Sequence, residues 1–180
     1  MKKILAFILF SNSLISFSQE NEIALENLIK LNVGTQGADV AVEIPVAKRL
    51  LVDVSTGFGG YNLATRSLDG YEFSNKLGLA YFAKGELKYY ISRNRRSRKD
   101  HDLVNNAGSF IALQSKFNNN NANYGKIILN EFHFGQQLPL SDNLLFCYHV
   151  GLGRISNLDY TYNKVMPTIG LKMAYVFGGF

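Results

Sequence analysis

The 180-residue chain is 47% hydrophobic and only 18% charged, with 16 Gly, 13 Phe and 10 Tyr against 3 Pro, a balance that suits one all-β domain. A single cysteine, Cys147, excludes an internal disulfide framework, and no Cys/His spacing has the pattern of a zinc site. The formal charge is +5, two units of it from Lys2 and Lys3, which is too mild to imply a nucleic-acid partner.

Residues 1–18 read as a signal peptide. Lys2 and Lys3 form a positive n-region, Ile4 to Phe10 an apolar core, and Ser16-Phe17-Ser18 offers small residues for cleavage before Gln19. The apolar run is too short for a membrane-spanning helix, Asn12 interrupts it, and no Cys follows it to carry a lipid. Residues 19–180 are therefore expected as an exported mature domain.

Apolar residues then recur at odd positions from Ile23 to Val33, which predicts a first strand, although 23–31 could instead open with a helical turn. The phase flips at Gly34-Thr-Gln-Gly37, read as a turn in preference to a bulge, and a second strand follows over 38–44. Pro45 to Arg49 is expected to be a turn, because proline cannot donate to a sheet ladder. A third strand covers 50–58, and residues 61–70 read as a loop. Alternation then runs unbroken over 71–91, about twice what a bilayer-crossing strand needs, so part of it should project beyond a membrane. The basic run Arg93, Arg95, Arg96, Arg98 and Lys99 links this strand to the next, at 105–117. Residues 118–123 form an Asn-rich loop tip, 126–138 a strand, 139–143 a Pro-containing turn and 144–152 another strand. After a loop at 154–164, the chain ends on the alternating stretch Ile169 to Phe180, which should close a barrel by pairing with the first strand. The count is eight strands.

One internal repeat supports this order. The stretch from Glu43 through Gly57-Phe-Gly59 matches Gln137 through Gly151-Leu-Gly153, each a strand, a Pro turn, Leu-Leu and a strand ending in Gly-x-Gly. The two hairpins belong at the same end of the barrel.

Alternation does not say which face is outside. Large apolar residues on every strand would overfill an eight-stranded interior, whereas the Gly-, Ser- and charge-rich face fits it. Aromatics gather near strand ends: Tyr71, Phe73, Phe117 and Tyr124 by the loops, and Phe134, Phe146, Tyr175 and Phe177 by the turns. On these grounds the apolar face is expected to meet lipid. Over residues 19–180 the chain resembles the small, about eight-stranded outer-membrane β-barrel proteins of Gram-negative bacteria. That resemblance implies an up-and-down transmembrane barrel, with termini, Pro turns and the basic link on the periplasmic side. It also implies outer-membrane lipid and the barrel-assembly machinery as partners, the latter reading Tyr175, Phe177 and Phe180. Gly178 and Val176 depart from that terminal signal, where larger apolar residues are usual.

Asp53, Glu131, His133, Cys147, His149 and Lys172 fall on the inward face and are expected to form a buried polar cluster. Glu131, His133, Cys147 and His149 lie on two strands that should pair, which raises metal or acid–base chemistry as the competing reading. Arg154-Ile-Ser156-Asn157 resembles the His-x-Ser-Asn element of lipid A deacylases. Arg154 stands where the histidine would be, however, and it cannot act as a neutral general base. No catalytic residue, metal or cofactor is therefore expected. The basic run is expected to be a solvated link that touches headgroups or the cell wall. The reading is a monomeric barrel with a structural or interaction role through its loops. The alternative is a barrel that binds a small lipophilic ligand, followed by a lipid-A-modifying enzyme.

Overall fold

The computed structural model describes residues 24–59, 61–67, 70–76, 80–93, 103–120, 125–159 and 161–179. The expected signal peptide, Arg95, Arg96, Arg98, Lys99, Tyr124 and Phe180 lie outside them. Among the described residues there are ten strands: β1 Leu28–Gly34, β2 Gly37–Ala47, β3 Leu50–Phe58, β4 Tyr61–Ser67, β5 Gly70–Lys76, β6 Tyr81–Tyr90, β7 Gly108–Asn120, β8 Gly125–Pro139, β9 Leu144–Asn157 and β10 Tyr162–Gly178. Eight of them close into one antiparallel barrel in the order β1, β2, β3, β6, β7, β8, β9, β10, and β4 and β5 pair separately as a hairpin between β3 and β6.

Closure is made by the last strand, as its alternation predicted. Leu31 pairs with Tyr175, Val33 with Met173 and Gly34 with Lys172, so neither β1 nor β10 is left as an open edge there. The lower end of the barrel carries the start of β1, the end of β10, the turn after β2, the chain between β6 and β7, and the turn after β8. The upper end carries the 34–37 turn, the β4–β5 hairpin and the β7–β8 and β9–β10 connections. The two repeated hairpins, β2–β3 and β8–β9, both turn at the lower end.

The side-chain period of two sorts residues cleanly between the faces. Along β6, Phe82, Lys84, Glu86, Lys88 and Tyr90 are buried while Tyr81, Leu87 and Tyr89 are exposed. Every barrel strand likewise carries large apolar residues on its outward face. A register row runs Ile44, Val52, Leu87, Leu113, Phe132, Leu152 across six neighbouring strands. The row beneath it runs Tyr89, Ile111, Phe134, Val150, Ile169. Phe58 and Tyr81 meet edge-to-face at 5.7 Å near the upper end, and Tyr175 and Phe177 at 5.3 Å near the lower end.

Several element boundaries differ from the sequence expectation, each for a local reason. The first strand starts at Leu28 rather than Ile23: its ladder with β2 begins at the Leu28–Glu43 pair, and just before it the Glu26 backbone bonds the Asn106 side chain instead. Pro45 sits inside β2, opposite Leu51, with a register shift before Ala47. It is tolerated because β1 has already ended on its other side, so no ladder donor is missed. Pro167 lies within β10 opposite Leu152, again beyond the reach of β1, whose last partner is Lys172. Where 61–70 was expected as a loop, Tyr61–Ser67 is β4 and Gly70 opens β5. The alternating stretch 71–91 is two elements: β5 belongs to the hairpin and only β6 enters the barrel. Continuous alternation hid the break because both hairpin and barrel strands alternate. The expected 154–164 loop is mostly strand, with β9 running to Asn157 and β10 starting at Tyr162. Gly34 to Gly37 is a turn, and Gly37 adopts φ +121°, where a Cβ would lie 2.2 Å from the Phe58 carbonyl oxygen.

Candidate functional site in the barrel interior

Two apolar layers bracket a polar middle. Leu25, Leu51, Tyr90, Phe110 and Ala112, together with Leu28, Leu145, Cys147, Ala174 and Val176, fill the lower interior. Ile127, Leu129, Ile155 and Met166 pack above, on the β8–β10 side. Between them, register places Glu43, Asp53 and Glu86 side by side on β2, β3 and β6. Three neighbouring carboxylates in a closed interior repel one another and are costly unless cations are inserted among them.

Two lysines meet that requirement. Lys88 Nζ lies 2.8 Å from Glu43 Oε1 and 2.8 Å from Asp53 Oδ2, and Lys30 Nζ pairs with Glu43 and lies 3.5 Å from Asp53. The four side chains are buried, two cations against two anions. Glu43 also accepts a hydrogen bond from Asn106 Nδ2 at 3.0 Å. Higher up, Asn32 Nδ2 donates to Asp39 at 2.6 Å, and Lys84 Nζ lies 3.7 Å from the other Asp39 oxygen. Lys116 lies over the Phe82 ring at 3.9 Å and donates to the Gln36 carbonyl at 3.2 Å.

The lower mouth is closed by the described residues of the chain between β6 and β7, Arg93 and 103–107 among them. Its 3-10 turn, Val104–Asn106, holds Asn105 and Asn106 in the left-handed region, at φ 54° and 57°. Asn106 exchanges hydrogen bonds with the Glu26 backbone, and Gln137 Nε2 donates to the Asn105 carbonyl at 2.7 Å. Arg93 belongs to this floor. It is 3% exposed and donates to the Ala24 carbonyl at 2.9 Å. Its place is under the barrel rather than in a solvated basic link, which corrects the sequence expectation for this residue. The cause is that β6 ends at Tyr90, so Arg93 turns beneath the barrel and stacks near the Tyr90 ring at 5.8 Å.

The six residues predicted to line the interior all do so, but they do not form one cluster. Asp53 joins Lys30 and Lys88 rather than the histidines. Lys172 lines a small cavity near the upper end together with Asp39, Lys84, Glu86 and His149. Cys147 lies lower, its Sγ 3.7 Å from Gln137 Oε1 in a weak contact. Glu131, His133 and His149 do converge. His133 Nδ1 lies 3.1 Å and His149 Nε2 3.3 Å from the same carboxylate oxygen, Glu131 Oε1. The two imidazoles stack at 4.4 Å. His133 Nε2 hydrogen-bonds Glu86 at 3.2 Å, and Gln114 Nε2 reaches Glu131 Oε2 at 3.5 Å.

Sequence reasoning left Lys30, Glu43 and Lys88 out of the cluster, although their positions in the alternation place them inward. The signal was available in phase, but which inward charges share a level depends on inter-strand register. Between strands far apart in the chain, register is not readable from either strand alone. Tyr175 and Phe177, expected in the assembly signal, are exposed on the outer wall.

No protein-family model matches this chain, and no curated protein and no solved structure is significantly similar to it.

Proposed function

We propose that the chain is a small outer-membrane β-barrel whose outer wall meets lipid and whose upper end serves a structural or interaction role. The observation that carries this reading is the apolar register row across β2, β3, β6, β7, β8 and β9, with Leu113, Phe132 and Leu152 at 60%, 55% and 62% exposure. Soluble monomers seldom expose an apolar band that continues around the molecule. The polar, ion-paired interior is the complement expected of a lipid-facing barrel. A water-facing barrel would carry these two compositions the other way round.

The side chains buried in the interior among the described residues weigh against the ligand-carrier alternative. The cavity beside His149 holds about 20 Å³, room for roughly one water molecule and not for a lipophilic ligand. Loss of the histidine equivalent at Arg154 weighs against lipid-A chemistry, and Arg154 is exposed on the outer wall. The β4–β5 hairpin and the other upper connections are the interaction surface on this reading. Lipid and, during biogenesis, the barrel-assembly machinery are the partners, with Tyr175 and Phe177 on the face they would meet.

The test is expression of the full chain in a Gram-negative host, followed by membrane fractionation and gel electrophoresis with and without boiling. The proposal expects recovery in the outer membrane and faster migration of the unboiled protein. Release as a soluble periplasmic protein would overturn it.

A further inference from the structure

We propose that Glu131, His133 and His149 form an interior binding site for one first-row divalent metal ion that favours imidazole, of the zinc, copper or nickel kind. The three residues each bring a donor atom to one spot, and those atoms all lie within 4.8 Å of one another. Two of the separations, 3.1 and 3.3 Å, match the edge of a tetrahedron around zinc, which is about 3.3 Å for bonds of about 2.0–2.1 Å.

The state of the donors points the same way. Glu131 Oε1, His133 Nδ1 and His149 Nε2 are each buried, with no partner among the described residues beyond their own ion-pair approaches of 3.1 and 3.3 Å. Buried polar atoms are rarely left so. Three of them sharing one point mark a place where a cation satisfies all three. His133 has the further partner that metal-bound histidines require. With Nδ1 facing the site, its Nε2–H donates to Glu86, which fixes the tautomer and raises the basicity of the ligand nitrogen. Two nitrogens and one carboxylate suit zinc, copper or nickel better than calcium or magnesium, which prefer all-oxygen shells.

Space and access are present. Gly151 faces His133 across the β8–β9 ladder, where a Cβ would fall 2.4 Å from the histidine Cβ. Gly170 underlies His149, where a Cβ would fall 2.2 Å from Cε1. The cavity at the upper end reaches His149 and carries balanced charge, Asp39 and Glu86 against Lys84 and Lys172. Coordination by both imidazoles needs their stack to open. His149, 12% exposed in its side chain and bordering that cavity, is the ring with space beside it.

The experiment uses the full chain folded in detergent micelles, titrated with Zn²⁺ by calorimetry and with Co²⁺ by visible absorption. One ion per barrel and intensified Co²⁺ d–d bands, as a low-symmetry four-coordinate site gives, are expected. His149→Gln and Glu131→Gln should each abolish that binding, Glu86→Gln should weaken it roughly 10–100-fold, and His101→Gln should leave it unchanged. Each variant is first checked for the heat-dependent gel shift of the folded barrel. Absence of saturable binding in the unsubstituted protein would overturn the proposal without recourse to any variant. So would binding that His101→Gln removes or that folded His149→Gln retains.

Discussion

Replacing Lys88 by methionine keeps most of the side-chain volume and removes only the charge at the centre of the interior network. The lysine is fully buried and touches two carboxylates at 2.8 Å each, so its loss leaves Glu43 and Asp53 facing each other with Lys30 alone between them. Breaking a buried ion pair by removing one partner costs roughly 3–5 kcal/mol, because the remaining charge stays desolvated. Lys30 still pairs with Glu43 and lies 3.5 Å from Asp53, which puts the expected loss near the lower bound, about 3 kcal/mol. That is more than a hundredfold in the ratio of folded to unfolded protein. The chain has no tryptophan, so the folded fraction is best followed by the unboiled gel band and by circular dichroism during urea titration in micelles. Lys88→Met combined with Glu43→Gln restores the balance of one lysine to one carboxylate and should recover at least half of the loss. A loss below about 1 kcal/mol for Lys88→Met, or no recovery in the double variant, would refute the ionic account of the interior.

Other substitutions test other levels of the structure. Gly37→Ala places a Cβ at φ +121° and against the Phe58 carbonyl, and should destabilise the barrel by roughly 1–3 kcal/mol in the same urea titration. Leu113→Arg sits mid-strand on the outer wall and should cost about 2–4 kcal/mol in a bilayer, measured by the same unfolding in liposomes; a water-facing wall would show almost no cost. Cys147 is 3% exposed, so a maleimide should leave the folded protein unmodified and react fully once urea unfolds it, as mass spectrometry would read.

The parts of the fold written in local alternation were legible in the sequence, and the parts written in pairing were not. Ile169 to Phe177 announced a closing strand because each residue's face follows from its neighbours' identities, and β10 does pair with β1. The inward set at Asp53, Glu131, His133, Cys147, His149 and Lys172 was legible for the same reason. Its division was not, since whether Asp53 meets His133 or Lys88 depends on how β3, β6 and β8 slide past one another. Proline misled the reading of Pro45 because its missing donor matters only where a neighbour strand is present, and none lies beside it on the β1 side. The extent of 71–91 misled in turn: a hairpin strand and a barrel strand share one period, so their junction leaves no mark in the pattern. Arg93 looked solvated because four basic residues follow it, whereas its burial follows from where β6 ends.

The central claim is that the apolar wall meets lipid, and the most direct measurement is quenching of a fluorophore placed on it. A single cysteine at Leu113→Cys, in a Cys147→Ser background, would be labelled with an environment-sensitive dye and the protein folded into vesicles. A second label at Lys48→Cys, in the exposed turn between β2 and β3, gives the comparison. The account predicts strong quenching at position 113 by lipids brominated in mid-chain and little by aqueous iodide, with the reverse at position 48. Iodide quenching at position 113, with no response to the brominated chains, would contradict it.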